Sequence, residues 1–170
     1  NSTMQKNKIV ILLGSKKDMA FANRIGQFLE KEHFSVEFEY NVASAHKTTH
    51  RLIDKLEAYE KSHENIVYIT VAGLSDALSG VVAGYSKYPV IACPPDSEEF
   101  GWSKVFSSMI TPEGVPVLFV AKPENAALAA AKILALSNRS LYREIEKYRA
   151  RKKAEINAAD KEIKEKKIYI

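Results

Sequence analysis

A chain of 170 residues, 46% hydrophobic and 27% charged, has the length and balance of one compact domain and carries no run of roughly 20 apolar residues that would span a membrane. Its net charge of +4 lies in the tail: Asn138–Ile170 holds 11 Lys/Arg against 6 Asp/Glu, while the first 137 residues hold 14 against 15, so a nucleic-acid-binding face is not expected. The single cysteine, Cys93, rules out an internal disulfide and, with no basic-then-apolar leader at the start, points to a reducing, cytoplasmic setting.

In chain order, apolar β-branched runs alternate with amphipathic stretches, the pattern of repeated β-α units. Lys8–Leu13 reads as the first strand. Met19–Lys31 follows as a helix, with Phe21, Ile25, Phe28 and Leu29 at 3.6-residue spacing. Val36–Val42 is the second strand, and a helix from about Thr48 to Lys61 starts at Thr48 or Thr49 as candidate caps. Ile66–Val71 is apolar enough to be a central strand buried on both faces. Ala72-Gly73-Leu74-Ser75 opens a short small-residue helix to about Tyr85. Pro89–Cys93 is the fourth strand, Trp102–Met109 the fourth helix, Val115–Val120 the fifth strand, and the alanine-rich Asn125–Leu136 the fifth helix. From Arg139 onward the chain reads as one long helix or two. Its apolar residues, Leu141, Ile145, Tyr148, Ile156 and Ile163, are too sparse for the tail to stabilise itself, which makes another subunit the expected partner.

Candidate chemistry collects where strands end, because parallel α/β sheets bind ligands outside the carboxyl ends of their strands. After the first strand, Gly14 permits a positive φ and close approach of a ligand, Ser15 can donate to a phosphate, Lys16 or Lys17 adds charge, and Asp18 can cap the helix or accept from a ribose hydroxyl. After the second strand, Ser44-Ala45-His46-Lys47 presents a histidine, the side-chain type that exchanges protons near neutral pH. After the third, Ala72-Gly73-Leu74-Ser75-Asp76-Ala77-Leu78-Ser79-Gly80 brings small residues and hydroxyls to a central strand end, where they can wall a flat ring or serve close packing of the helix on the sheet. His33, His50 and His63 are read as structural, and Cys93 as a small hydrophobe. No hydroxyl, histidine and acid fall in an order that indicates a triad.

With these segments in place, the chain resembles the PurE family of aminoimidazole ribonucleotide carboxylases and mutases of purine biosynthesis. The likeness covers about Lys8–Leu136 and rests on Gly14-Ser15-x-x-Asp18, Ser44-Ala45-His46-Lys47, Ala72-Gly73-x-Ser75, Cys93-Pro94-Pro95 and Pro112-x-Gly114-Val115-Pro116, all in family order. It implies an α/β fold, a flavodoxin-like three-layer α/β/α sandwich with a central parallel sheet and a long C-terminal helical extension. Residues 1–137 would form the catalytic domain, and 138–170 would pack on neighbouring subunits of a homo-oligomer, usually an octamer. It further implies that His46 is catalytic. Gly14, Ser15, Lys17, Asp18, Ser44, Ala45 and Lys47 would surround the nucleotide's phosphate and ribose, and Gly73, Leu74 and Ser75 would enclose its aminoimidazole ring and carbon dioxide. No cofactor or metal is implied, and the partners would be small-molecule substrates only, with no nucleic acid and no membrane.

Within the family, His46-Lys47-Thr48-Thr49, Cys93-Pro94-Pro95 and Ser107-Ser108 look like the branch that takes carbon dioxide directly. The alternative branch, the N5-carboxyaminoimidazole ribonucleotide mutases, typically shows His-Arg-Thr-Pro. Leu74, Ser75 and Asp76 stand where the direct carboxylases commonly carry Arg-Ser-Asn, and Ile110 stands where they carry Arg. These departures keep open a third reading, a nucleotide-binding homologue without turnover.

Overall fold

The computed structural model describes residues 6–62, 64–95 and 101–166. Five strands, β1 (Asn7–Leu13), β2 (Glu37–Val42), β3 (Asn65–Val71), β4 (Val90–Ala92) and β5 (Leu118–Phe119), form one parallel sheet in the order β2-β1-β3-β4-β5. Helices α1 (Met19–Lys31), α2 (Thr49–Lys61), α3 (Ala77–Tyr85), α4 (Phe106–Met109), α5 (Pro123–Ala135) and α6 (Arg139–Lys166) complete it. Successive strand side chains point to opposite faces. Accordingly Ile9, Ile11, Leu13, Val67, Ile69 and Val71 join α1, α5 and the start of α6 in one core, and Val10, Leu12, Ile66 and Tyr68 join α2 and α3 in the other. This is the three-layer flavodoxin-like sandwich that the family resemblance implies, built from the repeated β-α units that the pattern of elements predicts.

The strands differ from expectation toward the sheet's β5 edge. β4 is three residues long and β5 two, shorter than the runs Pro89–Cys93 and Val115–Val120. Leu118 is half exposed, so hydrophobicity there does not translate into a ladder. The fourth helix is a 3-10 turn (Gly101–Val105) followed by the short α4. In α5 the small side chains of Ala126, Ala127, Ala130 and Ala131 are fully buried, which lets that helix lie close on the sheet and on α1. Arg24 of α1 clasps Glu124 of α5 through two hydrogen bonds of 2.9 Å, and this holds the Glu124 carboxyl below its ordinary pKa. His33 ends α1 in the left-handed conformation (φ 54°), consistent with its structural reading, and His63 lies outside the described residues.

Gly26 explains how α1 meets the edge strand. The Tyr40 hydroxyl accepts from the Gly26 N–H at 3.1 Å, and a Cβ at position 26 would lie 2.3 Å from that oxygen and 2.6 Å from the Phe38 ring. Alanine is the better helix former by up to about 1 kcal/mol, but overpacking costs about 1–3 kcal/mol. Gly26→Ala is expected to lower the melting temperature by about 2–6 °C, read by circular dichroism. An unchanged or higher melt would show that the two rings swing aside freely.

The tail is one helix of 28 residues. Asn138 caps it, its side chain accepting from the Leu141 N–H at 3.1 Å. Against the expectation that its apolar residues need another subunit, the first part of the tail packs on its own chain: Leu141 and Ile145 are buried in the core, and Tyr148 meets Phe28 and Phe34 edge-on at 5.7 and 5.9 Å. Beyond Arg149 every described residue is exposed, including Ile156 and Ile163. Pairs such as Asp160–Lys164 (2.7 Å) support that arm as a helix in water.

Candidate active site

Register places the site. Leu13 pairs with Val42 on one side and Val71 on the other, so β1, β2 and β3 end level and their following loops open at the same height. The Ala43 N–H reaches Leu13 O at 2.9 Å and the Gly14 N–H reaches Val71 O at 3.0 Å, which carries the ladder one residue further before the loops diverge. Since β1 connects outward to β2 and the chain then returns to β3 on the opposite side, this is the topological switch point of the sheet.

A cleft of about 510 Å³ lies there. It is lined by Gly14, Ser15, Lys17 and Asp18 from the first loop, Ser44, Ala45, His46 and Lys47 from the second, and Gly73, Leu74 and Ser75 from the third, and of the two candidate cations Lys16 and Lys17 only Lys17 lines it. Ala72, Ala77 and Leu78 complete the wall, as the run of small residues after the third strand suggests, the last two standing at the start of α3. The sides differ in character. Lys17, His46, Lys47 and Asp18 stand on the first two loops, whereas the third side presents mainly the apolar surfaces of Ala72, Leu74, Ala77 and Leu78.

The first two loops prepare their serines in the same way. Ser15 Oγ accepts from the Lys17 N–H (3.2 Å) and Ser44 Oγ accepts from the Lys47 N–H (3.1 Å). A hydroxyl has a single proton, so in both loops the O–H remains available to donate to a ligand. Thr48 does not cap α2 with its side chain as expected. Its hydroxyl instead donates back to Ser44 O (3.1 Å) and accepts from the Ser44 N–H (3.0 Å), while Thr49 Oγ1 donates to Ala45 O (2.6 Å). These bonds fold residues 44–49 into a tight turn that carries His46 outward, exposed, with no described residue hydrogen-bonded to its imidazole.

Two expectations about the first loop are corrected. Gly14 does not adopt a positive φ, and a Cβ there would make only an ordinary 3.5 Å contact with Ala72, so whatever demand there is for glycine comes from a ligand's approach. Asp18 does not cap α1 with its side chain. Partial burial raises its carboxyl pKa, with the ammonium of Lys104 acting in the opposite sense, and the carboxylate remains as an acceptor on the cleft wall.

The third loop also differs from expectation. α3 begins at Ala77, not at Ala72, and Asp76 is its cap, accepting from the Ser79 N–H at 2.9 Å. An aspartate just before a small-residue helix is a cap signal that the sequence does contain. Leu74 takes a left-handed conformation (φ 57°), one that costs a leucine about 1–2 kcal/mol. Cys93 is fully buried, its thiol toward Ala121 O at 3.7 Å, as a small hydrophobe would be. Among the described residues no group of three or more His, Cys, Asp or Glu side chains is placed to hold a metal ion, and no helix is long and apolar enough to cross a membrane.

A level triad of strand ends, two serine-lysine loops and an imidazole at a β1/β3 switch point define a flavodoxin-like α/β protein with a cleft suited to a phosphorylated nucleotide. Comparison with known proteins narrows the class. Residues 8–155 match the family model described as AIR carboxylase, and the chain belongs to that family. It is 41% identical over 157 residues to a phosphoribosylaminoimidazole carboxylase of Archaeoglobus fulgidus, covering 92% of this chain and 85% of that one. It is also 38% identical to an N5-carboxyaminoimidazole ribonucleotide mutase of Methanocaldococcus jannaschii, covering 92% and 98% of the two chains. The crystal structure of Treponema denticola PurE superposes with a TM-score of 0.89 at 35% identity, covering 94% of this chain and 99% of that one.

Proposed function

We propose that the protein carboxylates 5-aminoimidazole ribonucleotide with carbon dioxide to give the 4-carboxy product, and catalyses the reverse decarboxylation, in purine biosynthesis. The observation that carries the reading is the convergence of the three strand-end loops on one cleft, with His46 among the residues lining it. Ser15, Lys17, Ser44 and Lys47 would hold the phosphate, Asp18 would accept from the ribose hydroxyls, and Gly14 and Ala45 would let the backbone approach. Gly73, Leu74 and Ser75 would cover the ring and the carbon dioxide.

The substrate's own electronics supply the nucleophile. The amino group makes the adjacent ring carbon enamine-like, and its electron pair forms the new bond to carbon dioxide. His46 then removes the proton from that carbon, and the C–H electrons restore the aromatic ring. In reverse His46 returns the proton and the carboxyl group departs as carbon dioxide. The apolar third wall would keep a neutral gas close to the ring, so that capture becomes effectively intramolecular.

The mutase is the second reading, favoured by the name of the M. jannaschii relative. Ultraviolet-monitored turnover of 4-carboxyaminoimidazole ribonucleotide, with the nitrogen-carboxylated isomer run in parallel, separates them. Release of the free aminoimidazole and carbon dioxide at catalytic rates is the expected result. Rapid exchange of the two carboxylated isomers with little release would overturn it, and binding without either reaction would mark a homologue that lacks turnover.

The same reading includes residues 1–137 as the catalytic domain and 138–170 as an extension that docks on neighbouring subunits of a cytoplasmic homo-oligomer, usually an octamer in this family. The exposed arm beyond Arg149 supports it. So does a group of exposed apolar side chains on the 101–119 segment: Trp102 (80% exposed), Phe106, Met109, Ile110 (75%) and Leu118. Chain ending at Ala154 keeps Leu141, Ile145 and Tyr148 and should fold. Light scattering is expected to show a large assembly for the full chain and a smaller one for the shortened chain, and a monomeric full chain would refute the docking role.

A further inference from the structure

Asp76 sits between cleft-lining residues on both sides, Ser75 and Ala77, yet does not line the cleft itself. It is 4% exposed, and its carboxylate turns inward to a buried cluster of hydroxyls. One oxygen accepts from the Ser79 N–H at 2.9 Å. The other accepts from the Ser79 hydroxyl and from the Ser108 hydroxyl at 2.6 Å. Because Ser79 gives its proton to the carboxylate, its oxygen is left to accept from Thr70 of β3, 2.6 Å away. The backbone of the same residue is anchored as well, since the Asp76 N–H donates to Ser107 Oγ at 2.9 Å and Ser107 in turn donates to Lys104 O at 2.8 Å. One residue thus ties the third loop to β3, α3, α4 and the turn before α4. Two residues earlier Leu74 holds its left-handed conformation, and Pro95 lies within 3.7 Å of a Cβ built at Gly73.

We propose that Asp76 is a positioning residue for the reaction: its buried hydrogen bonds clamp residues 72–78 in the shape that closes the apolar side of the cleft. The inference rests on the proposed carboxylase reading for its kinetic consequence and on the hydrogen-bond geometry for its structural one. The clamp depends on polar contacts and not on charge as such. In Asp76→Asn the amide oxygen still accepts from the Ser79 N–H, and its NH2 can donate to the oxygens of Ser79 and Ser108. In Asp76→Ala the Ser79 N–H and both hydroxyls lose that partner, so the loop is released.

The test compares the full-length parent with Asp76→Ala, Asp76→Asn and Ser108→Ala. Two readouts are taken: amide hydrogen exchange of the 72–80 segment, and kcat and KM on 4-carboxyaminoimidazole ribonucleotide. For folded Asp76→Ala, the segment is expected to exchange at least about tenfold faster and kcat/KM to fall about 10- to 100-fold. KM should rise as well as kcat falling, because a smaller folded fraction alone would leave KM unchanged. Asp76→Asn should stay within about threefold of the parent on both readouts. If Asp76→Ala does not fold, Ser108→Ala carries the test, since it keeps the cap and removes one donor, and faster exchange confined to 72–80 is expected. Parental exchange and kinetics in a folded Asp76→Ala, parental exchange in Ser108→Ala, or Asp76→Asn as impaired as alanine would each overturn the clamp. A parent inactive on this substrate would count against the proposed reaction, and the exchange readout, which needs no substrate, would still decide the clamp.

Discussion

Replacing His46 with asparagine is expected to lower kcat for decarboxylation of 4-carboxyaminoimidazole ribonucleotide by about 10²- to 10⁴-fold, the usual contribution of a positioned acid-base group. Nucleotide affinity should change by only a few-fold. The separation follows from the loop's construction. The turn from residue 44 to 49 is held by Ser44, Thr48 and Thr49 hydroxyls and backbone, with no hydrogen bond from the imidazole, so removing the ring leaves Ser44 and Lys47 where they were. Asparagine keeps a polar side chain of similar reach but cannot accept a carbon-bound proton. Single-turnover kinetics beside equilibrium binding checks the split, and a variant retaining parental kcat would remove His46 from the mechanism.

Asp18→Asn is expected to act in opposite directions on function and stability. An amide keeps one acceptor oxygen but loses charge-assisted bonds to ribose hydroxyls, each typically worth about 1.5–3 kcal/mol, so KM should rise about 10- to 100-fold with a smaller change in kcat. Stability should move the other way. Partial burial raises the Asp18 pKa in the folded chain, against the pull of Lys104. An unfolded chain therefore loses that proton first as pH rises from about 4, and from there through the folded-state pKa the carboxylate progressively disfavours folding. Below about pH 4 both states are protonated and the effect disappears. Asp18→Asn should melt slightly higher than the parent at pH 7, with the gap closing toward pH 4. A lower melt at pH 7 together with unchanged KM would show that the carboxylate serves the fold, not the ligand.

Much of the fold can be read from the chain because it depends on short-range pattern. Runs such as Ile9–Leu13 and Ile66–Val71 are apolar but for the hydroxyls of Tyr68 and Thr70, as strands covered on both faces are, and the structure buries them. The first three loops are legible for the same reason, since in a sheet of repeated β-α units each segment between a strand and the helix after it lies at the sheet's carboxyl edge. Elements were less legible where local signals compete. Val115–Val120 has strand composition but forms only Leu118–Phe119, because hydrogen bonding at an edge depends on what β4 offers beside it. Thr48 is a good cap by type, yet its hydroxyl prefers Ser44, a partner four residues back.

What sequence alone determined, then, is the order of β-α units and the strand-end position of His46, Asp18 and the two serines. These follow from spacing within a few residues, which local sterics and burial enforce. Only the tertiary structure decided that the three loops open level, since this requires Leu13 to pair with both Val42 and Val71. It alone decided that Gly26 must be small because a ring from β2 reaches it, and that Asp76 turns away from the cleft to meet Ser108, 32 residues further along. Those outcomes rest on contacts between distant segments, whose geometry exists only after the sheet has set its register and the helices have packed on it.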